Sequence, residues 1–110
     1  MEIGKLGVWT FFEAMTAAGA ADAARRIEAL GYPTLWIPEA LGREALSGAA
    51  WLLSATTKLN VATGIANIYA RDAMTMAAGR ATLSELSGGR FLLGIGVSHR
   101  PLVQGVRGHD

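Results

Sequence analysis

Arg90-Phe91-Leu92-Leu93-Gly94-Ile95-Gly96-Val97-Ser98-His99 is the stretch on which the fold turns. Phe91, Leu92, Leu93, Ile95 and Val97 form an apolar run without alternation, the pattern of a parallel strand covered on both faces. Gly94 and Gly96 carry no side chain, so another backbone or a flat ligand can approach closely there. The run ends in a hydroxyl, Ser98, and a titratable imidazole, His99. In parallel α/β architectures that carboxyl end is where ligands bind and chemistry takes place.

Upstream of this run, Gly88-Gly89 stops a helix predicted over Ala73–Leu86, with Asp72 as N-cap and Met74, Ala77, Ala78, Ala81 and Leu86 inward. Leu59–Ile68 begins as a strand and loses regularity at Gly64-Ile65-Ala66-Asn67. Ala45–Thr57 suits a second buried helix, with Leu46, Ala49, Ala50 and Leu53 facing in. Thr34–Ile37 is a strand ended by Pro38 and Glu39. Ala20, Ala23, Ala24, Ile27 and Leu30 recur at helical spacing, Gly31 sits where a C-cap wants a left-handed residue, and Pro33 follows. Lys5–Thr10 is the first strand. Beyond His99, Pro101, Gly105 and Gly108 mark a loop without periodic pattern, so 100–110 is expected to be an irregular tail. The sum is βαβαβαβ, with strand starts roughly 25 to 30 residues apart and all strands parallel.

Composition narrows the function classes. The 110 residues are 51% hydrophobic and 17% charged, with mean hydropathy +0.29. That suffices for one small unit with a core and is too apolar for disorder. The formal net charge is +1 without a dense basic block, so neither nucleic acid nor an anionic membrane is an expected partner. The chain has no cysteine, which removes disulfides, thiolate metal sites and cysteine nucleophiles; no metal site is expected. The opening Met-Glu-Ile-Gly-Lys-Leu-Gly lacks the two regions of a signal peptide, and uncharged Leu59–Ala70 is too short to span a bilayer. A cytoplasmic location is the expectation.

Two closed architectures fit the element order. A doubly wound sheet would carry G-x-G-x-x-G after its first strand, and nothing of the kind follows Thr10; Gly94-x-Gly96 has His99 where the third glycine belongs. A (β/α)₈ barrel has the same local pattern but needs about 250 residues, which makes this chain its first half. Gly31-Tyr32-Pro33-Thr34-Leu35-Trp36-Ile37-Pro38-Glu39, Ala62-Thr63-Gly64-Ile65 and Gly89-to-His99 together resemble the bacterial luciferase-like monooxygenase superfamily, more narrowly its branch using the deazaflavin coenzyme F420. The resemblance covers essentially all of residues 1–110. It implies a TIM barrel of the luciferase-like type, present as its N-terminal half, with the cofactor ring across the carboxyl ends of the strands. The family's later loops, which generally hold the cofactor phosphate, are not in this sequence.

The resemblance also implies roles. His99 stands where the superfamily often places a proton-transferring group, and moving a hydride to or from an alcohol carbon requires a proton to move at its oxygen. A loop histidine merely capping the strand is the plainer reading. Glu39, aimed by Pro38, resembles a position bordering the cofactor ring; the plainer reading is an exposed salt bridge to Arg43. Gly64 and Ile65 lie where relatives carry a bulge, often with a non-prolyl cis peptide behind the ring. Asn67 offers an amide to the ring's carbonyl and N–H edge, and Ser98 a hydroxyl at the same end. Trp9, Trp36 and Trp51 are read as core, Arg71 and Arg90 as solvated helix-end residues rather than phosphate ligands, and His109 as a residue of the tail.

The expected function is hydride transfer between F420 and a small organic substrate, with FMN-dependent monooxygenation as the alternative. The expected partners are that substrate and a second copy of the chain. A non-catalytic half-barrel that homodimerises by pairing its edge strands is the further alternative.

Overall fold

The computed structural model describes residues 1–109; Asp110, the end of the expected tail, lies outside the described residues. Among the described residues six short strands and three α-helices follow one another as β1 (Val8–Trp9), α1 (Ala17–Ala29), β2 (Thr34–Ile37), α2 (Ala45–Ala55), β3 (Asn60–Thr63), β4 (Ala66–Asn67), α3 (Ala73–Leu86), β5 (Phe91–Leu92) and β6 (Ile95–Gly96). Strands β1-β2-β3-β5 form one parallel sheet whose spatial order is chain order. A doubly wound sheet would insert β1 between later strands; this order is that of a barrel wall.

Each helix begins on a side chain that accepts an otherwise orphaned backbone N–H. Thr16 accepts from Gly19, Glu44 from Leu46 and Ser47, and Asp72 from Thr75. Gly31, at φ 91°, reverses the chain after α1, where a side chain on Cβ would be strained. All three helices cover one face of the sheet. Leu35, Ile37, Leu59, Val61 and Phe91 pack there against Ala20, Ala24, Ala49, Leu52, Leu53 and Leu83. At the amino ends of β2 and β3, Thr34 Oγ1 donates to Ile3 O and Asn60 Nδ2 to Glu2 O, both at 2.8 Å, so residues 2 and 3 lie across that end.

Several expectations change. The third and fourth strands are each split in two: β4 and β6 leave the main sheet and pair with each other, Ala66 with Ile95 and Asn67 with Gly96. The breaks fall at Gly64-Ile65, whose peptide is cis, and at Leu93-Gly94. The fourth strand is not covered on both faces. Ile95 and Val97 are exposed, because the helices cover one face only. On α3 the buried residues are Met76 and Leu83, while Met74, Ala77, Ala78, Ala81 and Leu86 face outward. Small and apolar residues occur all round that helix, so periodicity did not single out its buried stripe. Trp9 and Trp51 are about half exposed rather than core, each with its indole N–H on a carbonyl, Gly64 O and Ala17 O respectively. Pro101–Val106 forms a π-helical turn instead of irregular chain.

Two charged side chains tie the elements together over long sequence separations. Arg90 is no solvated helix-end residue. Its guanidinium donates to Ser87 O, Thr56 Oγ1, Leu59 O, Leu53 O and Thr56 O, capping α2 with a cation at its carboxyl end. Glu28 of α1 reaches the turn before β3, where its Oε2 accepts from Thr57, Lys58 and Leu59 N–H at 3.0, 2.7 and 2.8 Å. Burial works against the Glu28 charge, but those N–H groups and the Arg90 guanidinium outweigh it and hold the carboxyl below its ordinary 4.5. A lowered folded-state value means a contribution complete above the unfolded value and lost as pH falls through the folded one. Glu28→Gln is therefore expected to be less stable than wild type at neutral pH, with the difference closing as pH falls below 4.5. Urea unfolding of both proteins across that range checks it; a gap independent of pH would exclude the linkage.

Candidate functional site

At the carboxyl end of β2, Pro38 turns the chain and the Glu39 side chain points inward, its side chain only 3% exposed. Oε1 accepts from Asn67 N–H at 2.8 Å and Oε2 from Ala45 N–H at 2.7 Å, the first residue of α2. Arg71 Nη2 donates to the same Oε2 and to Glu44 Oε2 at 2.9 Å. The Glu39 partner is thus Arg71, in a buried pair, and not Arg43 in an exposed one. Arg43 instead donates to the carbonyls of Phe12 and Met15. Glu44, the α2 cap, has its carboxyl held below the ordinary range: partial burial opposes the charge, and bonds from Ser47 and Leu46 with the nearby Arg71 more than compensate.

Asn67 sits at the centre of this arrangement and is 1% exposed. Its Oδ1 accepts from Tyr69 N–H at 2.8 Å, and its Nδ2 is buried without a hydrogen-bond partner. A buried donor left unpaired costs about 1–3 kcal/mol, so a bound acceptor that reached it would recover that energy. Three residues earlier, the Gly64 carbonyl accepts from the Trp9 indole N–H at 2.9 Å. A Cβ on Gly64 would stand 3.4 Å from Trp36 and 3.6 Å from Trp9, so the two indoles line the glycine. Ile65 packs against Gly96, where an added Cβ would lie 3.0 Å from its side chain.

The close approach expected at Gly94 is a backbone one. Thr63 Oγ1 donates to Gly94 O at 2.7 Å and accepts from Gly94 N–H at 2.8 Å. Ser98 and His99 follow Gly96, the register partner of Asn67. Ser98 takes a left-handed φ of 63°, and His99 is exposed. Among the described residues neither side chain hydrogen-bonds to Glu39 or Asn67. The structure thus joins Glu39 to Asn67 directly and sets Ser98 and His99 past the adjacent strand end. His109, read as part of the tail, stacks its ring on Tyr69 at 5.4 Å.

Arg71, expected as a solvated helix-end residue, is instead buried against Glu39, and its position carried a signal of that. It directly precedes Asp72, the α3 cap, and a cation at a helix amino end opposes the dipole unless it has a partner. A polar cleft of about 380 Å³ opens beside the Glu39–Arg71 pair, edged by Leu41, Ala70 and Arg107. A more apolar cavity of about 260 Å³, between the starts of α1 and α2 and lined by Phe11, Phe12, Pro38 and Trp51, lies apart from Asn67 and His99. Among the described residues no group of His, Asp and Glu side chains could hold a metal ion, and no helix is long and apolar enough to cross a membrane.

Residues 4–110 match the profile of the luciferase-like monooxygenase family. The chain belongs to that family. The Mycobacterium tuberculosis protein Rv3520c, which bears the name of a coenzyme F420-dependent oxidoreductase, is 34% identical over 106 residues, 96% of this chain and 30% of its own length. A 5,10-methylenetetrahydromethanopterin reductase of Methanolobus tindarius is 34% identical over 66% of this chain and 23% of its own. The fold matches the coenzyme F420-dependent tetrahydromethanopterin reductase of Methanopyrus kandleri with a TM-score of 0.84 at 22% identity, over 93% of this chain and 29% of the other. It matches the FMN-bound oxygenating component of a Pseudomonas putida 3,6-diketocamphane monooxygenase at 0.77 and 16% identity, over 94% and 33%. The chain spans between about a quarter and a third of the length of these relatives. Its parallel sheet is accordingly part of a luciferase-like α/β barrel.

Proposed function

We propose that this chain forms the ring-binding wall of an F420-dependent oxidoreductase that transfers a hydride to or from a small organic substrate. The observation that carries the reading is Asn67 Nδ2, a buried donor without an acceptor next to Gly64-Ile65 at the strand ends. Deazaflavin and flavin rings both bear carbonyl acceptors, so the donor fits either. The name of the mycobacterial relative supports F420 ahead of FMN. When bound, the deazaflavin ring supplies hydride chemistry. The chain's own residues do the rest. Asn67 would donate to a ring carbonyl, Gly64 and Ile65 would form the surface behind the ring, Ser98 would add a hydroxyl at its edge, and Glu39 would act from below through Asn67. His99, exposed at the strand end, would take or give the proton at the substrate oxygen through a ring nitrogen.

Binding is expected to be weaker than micromolar, with no turnover. Arg71 and Arg90, cations that could otherwise meet a phosphate, are already committed to partners within the chain. A ring held without two charge-assisted phosphate bonds forgoes about 3–6 kcal/mol, or roughly two to four orders of magnitude in affinity. Titration of ¹⁵N-labelled protein with F420 and with FMN checks both points. Weak shifts confined to Gly64–Asn67, Ser98 and His99 are expected. Unmoved spectra with either cofactor would overturn the reading, and micromolar one-to-one binding would overturn the expected weakness.

A second reading, a barrel wall that pairs with a copy of itself, draws on exposed Trp9, Ile95 and Val97, which are 53%, 57% and 60% accessible. Sedimentation at the monomer mass of 11.5 kDa would exclude it.

A further inference from the structure

We propose that Glu39 and Arg71 are a pair of positioning residues whose task is to hold the backbone of Asn67, and that neither touches the cofactor. The reason lies in where their hydrogen bonds go. Glu39 Oε1 takes the Asn67 N–H at 2.8 Å, and Arg71 Nη1 donates to the Asn67 C=O at 3.4 Å. The acid and the base of one ion pair thus grip the two ends of one residue, and that residue carries the unpartnered Nδ2.

The remaining bonds anchor the grip. Oε2 of Glu39 is tied to the amino end of α2 through Ala45, and Arg71 to the α2 cap through Glu44. With side-chain exposures of 3% and 9%, the two are fixed by the protein rather than by solvent. Glu39 already accepts from three donors, which leaves it little capacity for a ligand. Asn67 in turn pairs with Gly96 and bonds Tyr69 N–H through its own Oδ1, so its amide is held by both backbone and side chain. An acceptor arriving at Nδ2 would meet a donor whose direction is set in advance.

The pair acts on a fork geometry that lysine does not have. The ammonium of Arg71→Lys can meet Glu39 or Asn67 C=O but cannot span both as the planar guanidinium does. This inference rests on the proposed cofactor reading only for its purpose, and the test separates the two. In cofactor-free ¹⁵N-labelled protein, Arg71→Lys is expected to keep the overall spectrum of the fold while moving the Asn67 side-chain NH₂ and the Asn67 and Ile68 backbone amide resonances. Glu44→Gln removes an anchor and weakens the α2 cap, and so should lower stability with much smaller shifts at Asn67. Unchanged Asn67 resonances in Arg71→Lys, or equal shifts in Glu44→Gln, would overturn the proposal. Adding F420 or FMN to wild type then tests the cofactor reading alone. If ring-induced shifts at the Asn67 NH₂ survive undiminished in Arg71→Lys, positioning by the pair is refuted while the reading stands.

Discussion

Gly94→Ala is expected to lose about 3 kcal/mol of stability, more than a surface glycine-to-alanine change could cost. An alanine Cβ at this position would stand 2.1 Å from the Thr63 carbonyl oxygen. That atom belongs to the backbone of β3 and cannot swing aside as a flexible side chain would. The strand itself must move, and both Thr63 Oγ1 bonds to Gly94 go with it. The Ala66 N–H, which donates to Gly94 O at 2.8 Å, would be displaced too, so the disturbance reaches the start of β4. Gly48, within α2, has nothing within 4 Å of the same added atom. Gly48→Ala should therefore be neutral or stabilising by about 0.5–1 kcal/mol, because alanine has less freedom to lose in a helix. Urea unfolding of both variants decides the matter, and equal, small effects would refute the close approach.

Arg71→Met is expected to cost about 3–5 kcal/mol, the usual penalty for removing one partner of a buried ion pair. Glu39 would keep its two backbone donors, Ala45 and Asn67, but its charge would stay buried with no cation beside it. The double variant Glu39→Gln/Arg71→Met removes the charge as well and should recover part of the loss. A single variant that unfolds like wild type, or a double variant worse than the sum of its parts, would argue against an ion pair at this place.

Much of the fold was legible in the sequence because its signals are local. The α3 boundaries, Ala73–Leu86, follow from Asp72 at one end and Gly88-Gly89 at the other. Thr34–Ile37 is bounded by prolines and read correctly as a strand, and the order of the sheet follows from the βα repeat. The loss of regularity after Thr63 marked the break between β3 and β4. The apolar run Phe91–Val97 gave no such warning, since Gly94 reads equally as strand or kink until Thr63 is seen against it. What stayed hidden are pairings that only tertiary folding creates. Glu39 and Arg71 are 32 residues apart, Glu28 and Lys58 30, and Arg90 and Leu53 37. Nothing in the spacing of such residues names the partner. Of the candidate site, Glu39 and Asn67 stand out as polar residues at or past strand ends, while Gly64 and Ile65 were singled out by the family resemblance. The reason Glu39 matters, its hold on Asn67, required coordinates.

The bond between the Trp9 indole and Gly64 O gives the protein an optical property of its own. Indole emission shifts and dims with its hydrogen bonding and with any light-absorbing ring nearby, and Trp9 is coupled to the peptide on which such a ring is proposed to rest. Trp36 lines the same glycine, whereas Trp51 is bonded to Ala17 O on the helix side. A chain with phenylalanine at 36 and 51 would retain one emitter, placed where a yellow chromophore would quench it. Occupancy of the strand ends would then be read as light, without label or turnover.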